Sequence, residues 1–242
     1  MTELSGKVAL VTGGSRGIGA AIALRLARNG ADVALTYAAS PDRAKAVVQE
    51  IEKLGRRALA IKADHAEAQA TRDAVAQTVK TFGRIDILVN NAGIVAPGNS
   101  LEDIDRTLAI NTRAPYLAAL DAAEAMKEGG RIITIGSCLG ENVRFPGITL
   151  YSMSKAAMTG MTRGLARDLG SRGITVNVVQ PGPIDTEMNP ADGPDADNQR
   201  ALTALGRYGQ AEEIAATVAF LASPAASYVT GAQITVDGGV NA

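Results

Sequence analysis

The chain has 242 residues, and its 24 Lys and Arg against 25 Asp and Glu leave a net charge close to zero. This balance lacks the basic surplus of proteins that bind nucleic acid or an anionic membrane surface, and we expect neither partner. One cysteine and one histidine exclude an internal disulfide and provide no His/Cys zinc site, so we expect no metal.

The sequence carries no recognisable targeting or membrane segment. Residues 1–7 lack the basic start and apolar stretch of a signal peptide. No apolar run approaches the roughly 18 residues of a membrane span. We therefore expect a cytoplasmic protein, and the lone Cys138 fits a reducing compartment.

Short apolar runs alternate with helical patterns along the chain. The predicted strands are 8–11, 33–36, 58–62, 85–89, 131–135, 175–179 and 233–236. The predicted helices are 17–29, 41–54, 67–82, 101–126 (bent near Pro115), 151–169 and 211–221. Uniformly apolar strands alternating with helices predict an α/β, doubly wound, mostly parallel sheet, a Rossmann fold in a single domain over residues 1–242. Residues 186–206 are polar and rich in Pro, Asp and Asn, and we expect them to form a mobile substrate-side segment.

A glycine-rich loop joins the first strand to the first helix. Its residues with a predicted cofactor role are Gly13, Ser15, Arg16, Gly17, Ile18 and Gly19. Glycine lets the backbone approach a pyrophosphate closely, and the helix N-terminus offers N–H groups to its charge. The spacing Gly-x-x-x-Gly-x-Gly differs from the common Gly-x-Gly-x-x-Gly, but its position between strand and helix predicts a dinucleotide-binding loop.

The end of the second strand bears on which nicotinamide cofactor is used. NAD enzymes usually place a carboxylate there for the ribose hydroxyls, whereas this chain has Tyr37, Ala39 and Ser40 in that stretch. Arg16 can pair with a 2′-phosphate, and Ser40, which we expect to cap the next helix, can also meet it. Asp42 would repel that phosphate, but we interpret it as a first-turn helix charge. The sequence thus favours NADP(H) over NAD(H).

Tyr151 and Lys155 are the candidate acid–base pair. Their spacing of four residues places the phenol and the ammonium on one face of a helix. A cation held there is expected to lower the pKa of the phenol, which is about 10 when free, and to allow proton transfer near neutral pH.

Together these motifs resemble the short-chain dehydrogenase/reductase family over the whole chain. In chain order they are the glycine loop 12–19, the segment 90–93, Asn111, Ser137, the Tyr151/Lys155 pair and Pro181-Gly182. The resemblance implies that Tyr151 protonates a substrate carbonyl oxygen while Ser137 hydrogen-bonds that oxygen. It also implies that Lys155 lowers the Tyr151 pKa and binds the nicotinamide ribose, and that Asn111 holds a water in a proton relay.

The resemblance assigns further cofactor contacts. It places Asp64 at the adenine, with Asn91, Ala92 and Gly93 beside the adenosine ribose. Near the nicotinamide it places Tyr151, Lys155, Pro181, Gly182, Ile184 and Thr186.

Several of these residue types have structural alternatives. Asn111 could instead bridge backbone groups at a helix bend, and Asn90 is expected to hold neighbouring loops. Cys138 is expected to be a small packed residue, because no histidine is available to activate it. His65 is expected to lie on the surface without a chemical role.

The substrate is not named by these motifs. We expect a small-molecule carbonyl or alcohol, against a mixed but mostly apolar wall of Cys138, Leu139, Glu141, Val143, Phe145 and Gly182, over which Met188 is expected to close. The segment 173–178 is similar to that of 3-oxoacyl-carrier-protein reductases, although residues 124–128 lack the cationic surplus that an acidic carrier protein would require.

A second subgroup of the family leaves an alternative function open. Segments 14–22, 113–116 and 178–186 are similar to bacterial members described as cyclic-di-GMP-binding biofilm dispersal mediators. In that alternative the dinucleotide site holds a signalling ligand and catalysis is secondary, whereas the complete proton-transfer set favours a reductase. The resemblance also implies a homo-oligomer, with a tetramer favoured and a dimer possible, through helices 101–126 and 151–169.

Overall fold

A computed structural model describes residues 3–242 and places seven parallel strands in one sheet. The strands are β1 Val8–Val11, β2 Asp32–Tyr37, β3 Ala58–Lys62, β4 Ile87–Asn90, β5 Arg131–Ile135, β6 Thr175–Pro181 and β7 Gln233–Val236. The helices are α1 Gly17–Arg28, α2 Pro41–Lys53, α3 Ala68–Phe82, α4 Leu101–Leu108, α5 Ala114–Ala125, α6 Thr149–Leu169, α7 Ala196–Leu202 and α8 Ala211–Ala222. The predicted doubly wound α/β fold is confirmed, with strand and helix ends shifted by a few residues.

The sheet is covered by helices on both faces. One buried cluster includes Ile22 and Leu26 of α1 with Ile214 and Leu221 of α8. The opposite cluster joins side chains of α3, α5 and α6 to the other face of the strands. The strands β1, β4, β5 and β6 are buried at every position, which explains why β1 is apolar throughout and why the polar residues of the other three, such as Asn177 and Gln180, are buried as well.

The strand order is β3-β2-β1-β4-β5-β6-β7, so the chain reverses its direction of winding between β1 and β4. Loops leaving the carboxyl ends of two neighbouring strands diverge at such a point and leave a crevice, where α/β proteins bind their ligands. The candidate site is therefore expected above the ends of β1 and β4.

The predicted long helix 101–126 is interrupted, and the interruption lies before Pro115. Residues Ala109–Arg113 form a π-helical turn between α4 and α5, in which the Ala114 N–H bonds the Ala109 carbonyl five residues earlier. Pro115 has no N–H to give the Asn111 carbonyl its ordinary α-helical bond, which favours a wider turn at this point.

The segment 186–206 contains structure that the sequence pattern did not indicate. It begins with a turn closed by backbone hydrogen bonds between Thr186 and Asn189 and includes the short helix α7.

Among the described residues, no helix combines the length and apolarity needed to cross a membrane.

Candidate active site

Two loops are joined by hydrogen bonds at the crevice between β1 and β4. The Thr12 hydroxyl oxygen accepts from the backbone N–H groups of Asn91 and Ala92, at 2.9 and 3.0 Å. In return the Asn91 amide donates to the carbonyls of Thr12 and Gly13, at 2.9 and 3.1 Å. Asn90 donates to the Pro115 carbonyl at 3.1 Å, so it makes a structural contact with the start of α5 rather than with a neighbouring loop. The predicted glycine loop and the 90–93 segment thus form one hydrogen-bonded floor.

Glycine is required in this floor by close packing. A Cβ at Gly19 would lie 2.3 Å from the Gly13 carbonyl oxygen and 2.5 Å from the Asn91 amide nitrogen. A Cβ at Gly13 would lie 3.0 Å from the Ala92 Cα. Gly17 has a φ of 52° and begins α1. No side chain within residues 3–242 caps the N-terminus of α1, so its first-turn N–H groups are free of a capping partner there, and Ser15 and Ile18 beside them are half-buried.

His65 is buried, which corrects the prediction that it lies on the surface. Only 6% of the residue is exposed, and its ring nitrogens contact the hydroxyls of Thr36 and Thr71 at 2.8 and 2.9 Å. The Thr36 oxygen also accepts from the Gly13 N–H at 2.9 Å, so the ring supports the glycine loop. Burial lowers the pKa of His65 to about 4, against a smaller opposing effect of Asp64, so the ring is neutral at pH 7.

The carboxyl end of β2 leaves polar groups accessible. Tyr37 ends the strand, Ala39 is exposed, and Ser40 is half-buried at the N-cap of α2. The expected capping hydrogen bond of Ser40 is absent, because its backbone angles are not those of a capping residue and its hydroxyl does not reach the first-turn N–H groups.

Asp64, the predicted adenine contact, follows β3 and is held by two partners. Its carboxylate accepts from the Ala66 N–H at 3.0 Å and pairs with Arg106 at 3.0 Å. These contacts, led by the Ala66 hydrogen bond, lower the pKa of the carboxyl below its usual value. Asp64 is therefore ionised at neutral pH and fixed beside the crevice.

The predicted catalytic side chains meet where β5 ends and α6 begins. Ser137 follows β5, and its hydroxyl lies close enough to the phenol of Tyr151, in the first turn of α6, to affect the pKa of that phenol. The loop carrying Ser137 lies directly on α6 at Gly140, where a Cβ would be 3.0 Å from the Ala156 nitrogen. Cys138 beside it is buried, and burial raises the pKa of its thiol to about 11, so it is a packed residue as predicted.

The pKa of Tyr151 shifts in the direction opposite to the sequence prediction. Burial raises it, while the hydrogen bond with Ser137 lowers it by less. The Lys155 ammonium lies 5.7 Å from the centre of the phenol ring and donates to the Ile135 carbonyl at 2.9 Å. Burial lowers the pKa of Lys155 to about 8, so the ammonium is charged at pH 7. The phenol, whose pKa is raised, is protonated at the same pH.

Asn111 lies in the π-helical turn, and its side chain links three elements. Its oxygen accepts from the Ile94 N–H at 2.9 Å, and its nitrogen donates to the Ile94 carbonyl at 2.9 Å and to the Ser154 hydroxyl at 3.0 Å. The Ser154 hydroxyl donates to the Tyr151 carbonyl at 2.7 Å. A Cβ at Gly93 would lie 3.2 Å from the Lys155 ammonium and 3.5 Å from the Asn111 side-chain oxygen. Asn111 therefore bridges backbone groups, as the structural alternative predicted, within the Tyr151 and Lys155 cluster.

The segment after β6 approaches the glycine loop from the other side. A Cβ at Gly182, next to Pro181, would lie 2.6 Å from the Asp237 Cα, which requires glycine. Ile184 is buried, and the Thr186 methyl group lies 3.4 Å from the position of a Cβ on Gly17. These predicted nicotinamide contacts thus border the crevice opposite the 90–93 segment.

The residues around the crevice fit a phosphorylated dinucleotide. The N-terminus of α1 has no side-chain cap in the described part of the chain, so its first-turn N–H groups can bind a pyrophosphate. The Arg16 side chain is 58% exposed at the loop, as a 2′-phosphate contact must be.

Sequence reasoning missed several residues that hold this site. Thr36, Gly140 and Ser154 make the contacts described above, and Glu187 pairs with Arg43 and with Arg16 at the edge of the site. Their partners are distant along the chain. Only Ser154, directly before Lys155, carried a positional signal.

Comparisons with known proteins agree with this geometry. Residues 13–241 match a family model described as Enoyl-(Acyl carrier protein) reductase. The chain is 52% identical over 246 residues to the cyclic-di-GMP-binding biofilm dispersal mediator protein of Escherichia coli K12, covering 100% of both. It is 43% identical over 247 residues to a 3-oxoacyl-[acyl-carrier-protein] reductase of Synechocystis, covering 99% of both.

A solved structure is also very similar. A short-chain dehydrogenase of Burkholderia cenocepacia J2315, crystallised in complex with NADP, superimposes with a TM-score of 0.98 at 56% identity, over 99% of this chain and 100% of that one. Sequence, fold and site geometry thus give one result: the chain belongs to the short-chain dehydrogenase/reductase family of oxidoreductases.

Proposed function

We propose that this protein reduces a small carbonyl substrate to an alcohol with NADPH, and catalyses the reverse reaction with NADP. The observation that carries the proposal is the convergence of a hydroxyl, a protonated phenol and an ammonium from Ser137, Tyr151 and Lys155. They lie beside a floor shaped for a dinucleotide. When bound, NADPH supplies the hydride.

The raised pKa of Tyr151 suits the reductive direction. A protonated phenol can donate its proton to the carbonyl oxygen, which would otherwise become an alkoxide as the carbon accepts hydride. Ser137 donates a hydrogen bond to the same oxygen and stabilises its developing charge. The Lys155 ammonium stabilises the phenolate left on Tyr151, because opposite charges attract strongly in a buried site.

After it has given up its proton, Tyr151 must be protonated again, and we assign this proton path to a water held at the π-helical turn. The Asn111 carbonyl lacks its α-helical donor because residue 115 is proline, so it is suited to hold a water. That water would connect Lys155 to solvent, while the Asn111 side chain keeps the turn in place through Ile94 and Ser154.

The substrate is assigned to a ketone, aldehyde or 3-oxoacyl class. The side chains expected at the substrate wall include Val143, Phe145 and Met188, which are 53, 41 and 61% exposed and present an apolar surface. The segment 186–206 carries Met188, and we assign to it the closing of this surface over the substrate.

A panel of carbonyl compounds tests the proposal. Purified protein is mixed with NADPH and ketones, aldehydes or 3-oxoacyl thioesters, and the loss of NADPH absorbance is followed. At least one class is expected to be reduced, and Ser137→Ala is expected to lower kcat by about 10²-fold, the usual effect of removing one such donor. If no class is reduced, the proposal is wrong.

A second candidate function is binding of cyclic-di-GMP at the dinucleotide crevice. It is favoured by the 52% identity to the biofilm dispersal mediator protein of E. coli. Calorimetric titration with cyclic-di-GMP, alone and after saturation with NADPH, separates the two. Binding that NADPH abolishes, in a protein that reduces no carbonyl, would favour this second function.

We also propose a homo-oligomer formed through α5 and α6. Apolar side chains on these helices, Tyr116, Leu120 and Met153, are 47, 36 and 50% exposed. Light scattering is expected to give a tetramer, with a dimer as the alternative, and a monomer would refute this interface.

A further inference from the structure

Two arginines from separate elements hold one carboxylate at the edge of the crevice. Glu187 accepts a hydrogen bond from the Arg43 guanidinium, and its other oxygen lies 3.6 Å from Arg16. Arg16 belongs to the glycine loop, Arg43 to the first turn of α2, and Glu187 to the segment after β6. Arg43, followed by Arg16, holds the pKa of the Glu187 carboxyl below its usual value, so it carries a full charge at pH 7.

These two arginines lie where the 2′-phosphate on the adenosine ribose is expected, and not where the pyrophosphate is expected. Both stand at helix starts that follow the carboxyl ends of β1 and β2, where the adenosine ribose lies in this class of fold. The stretch from Tyr37 to Ser40 contains no acid that would bind a free 2′-hydroxyl. The one nearby acid on α2, Asp42, is exposed.

The charges of this cluster favour the replacement of the Glu187 carboxylate by a phosphate group at the two arginines. A phosphate monoester carries between one and two negative charges near pH 7 and offers three acceptor oxygens. Guanidinium groups bind such an anion with paired N–H donors. The three side chains are 58, 50 and 55% exposed, so their mutual ion pairs are screened by water and weak.

From these observations we propose that Arg43 acts with Arg16 as a specificity residue for the 2′-phosphate, and that Glu187 competes with that phosphate for both arginines. Binding of NADPH then frees Glu187, and NADH leaves it in place. The inference rests on the proposed use of NADPH, and it adds Arg43 and Glu187 to the residues that select the cofactor. It also couples the cofactor to the start of the 186–206 segment.

Binding titrations with NADPH and NADH test the inference without using activity. Arg43→Gln is expected to weaken NADPH about tenfold and to change NADH affinity by less than twofold. Glu187→Gln is expected to tighten NADPH about threefold, a magnitude typical of an exposed ion pair, without tightening NADH. The matched control is Lys45→Gln, which removes one exposed positive charge from the same helix and should change neither affinity by more than twofold.

The outcomes separate the inference from the proposed function. If wild-type protein binds NADPH tightly and Arg43→Gln leaves that affinity unchanged, or weakens both cofactors equally, the role of Arg43 is refuted. A Glu187→Gln variant that binds NADPH more weakly refutes the competition. If wild-type protein binds no NADPH, the proposed function fails and this inference fails with it.

Discussion

The buried ring of His65 makes the stability of the fold depend on pH between 7 and 5. In the folded chain burial lowers its pKa to about 4, whereas an unfolded chain has a histidine pKa of about 6.5. The folded state therefore keeps the ring neutral where the unfolded state gains a proton. The stability contribution is complete above pH 6.5 and is lost as the pH falls from 6.5 toward 4.

The size of this loss follows from the two pKa values. The difference of 2.5 units between about 4 and 6.5 corresponds to about 3 kcal/mol of unfolding free energy over the whole range. Between pH 7 and pH 5 the loss is about 2 kcal/mol, since the unfolded ring is already protonated at pH 5 and the folded ring is not. The chain contains no second histidine, so no other imidazole contributes, and comparison with a variant that lacks this ring removes the contribution of the carboxyl groups.

Urea unfolding of the wild type and of His65→Gln at both pH values provides the assay. Glutamine keeps an amide that can bond the two threonine hydroxyls but does not titrate. The wild type is expected to lose about 2 kcal/mol more than the variant when the pH falls from 7 to 5. Equal losses, or a proton NMR titration of the folded ring with a midpoint near 6.5, would refute the reasoning.

Three further predictions concern the crevice. Gly19→Ala places a methyl group against the Gly13 carbonyl. We expect the free energy of unfolding in urea to fall by about 2 kcal/mol and NADPH to bind at least tenfold more weakly by titration. Wild-type values in both measurements would contradict this packing. Asn111→Leu leaves the Ser154 hydroxyl and two backbone groups without their partner, so we expect a loss of about 2 kcal/mol together with a lower kcat. Since the pKa of Lys155 is about 8, kcat for carbonyl reduction should fall as the pH rises above 8, and a rate that stays constant to pH 10 would exclude the charged ammonium from the reaction.

The parts of the fold that the sequence predicted are those determined by local pattern. The short apolar runs in β1, β4 and β5 identified buried parallel strands, because both faces of such strands must be covered. The glycine loop and the Tyr151/Lys155 pair could be predicted for the same reason, because each motif lies within a few consecutive residues of the chain.

The remaining features depend on contacts between distant residues. His65 follows a polar aspartate and reads as exposed, and only the hydroxyls of Thr36 and Thr71 make its burial possible. The direction of the Tyr151 pKa shift was predicted incorrectly, because spacing indicates a nearby cation but cannot indicate how deeply the phenol is buried. The pairing of Arg43 with Glu187 spans 144 residues and has no local signature.

The most direct test of the catalytic assignment compares wild type and Tyr151→Phe in two measurements on the same preparations. One is kcat for NADPH-dependent reduction of the best substrate in the carbonyl panel, and the other is the NADPH Kd. Removal of the proton donor is expected to lower kcat by about 10³-fold, within the usual range for a positioned acid, while the Kd changes by less than about threefold. A variant that keeps wild-type turnover, or one that loses turnover only because it no longer binds NADPH, would contradict the role of Tyr151 as the acid.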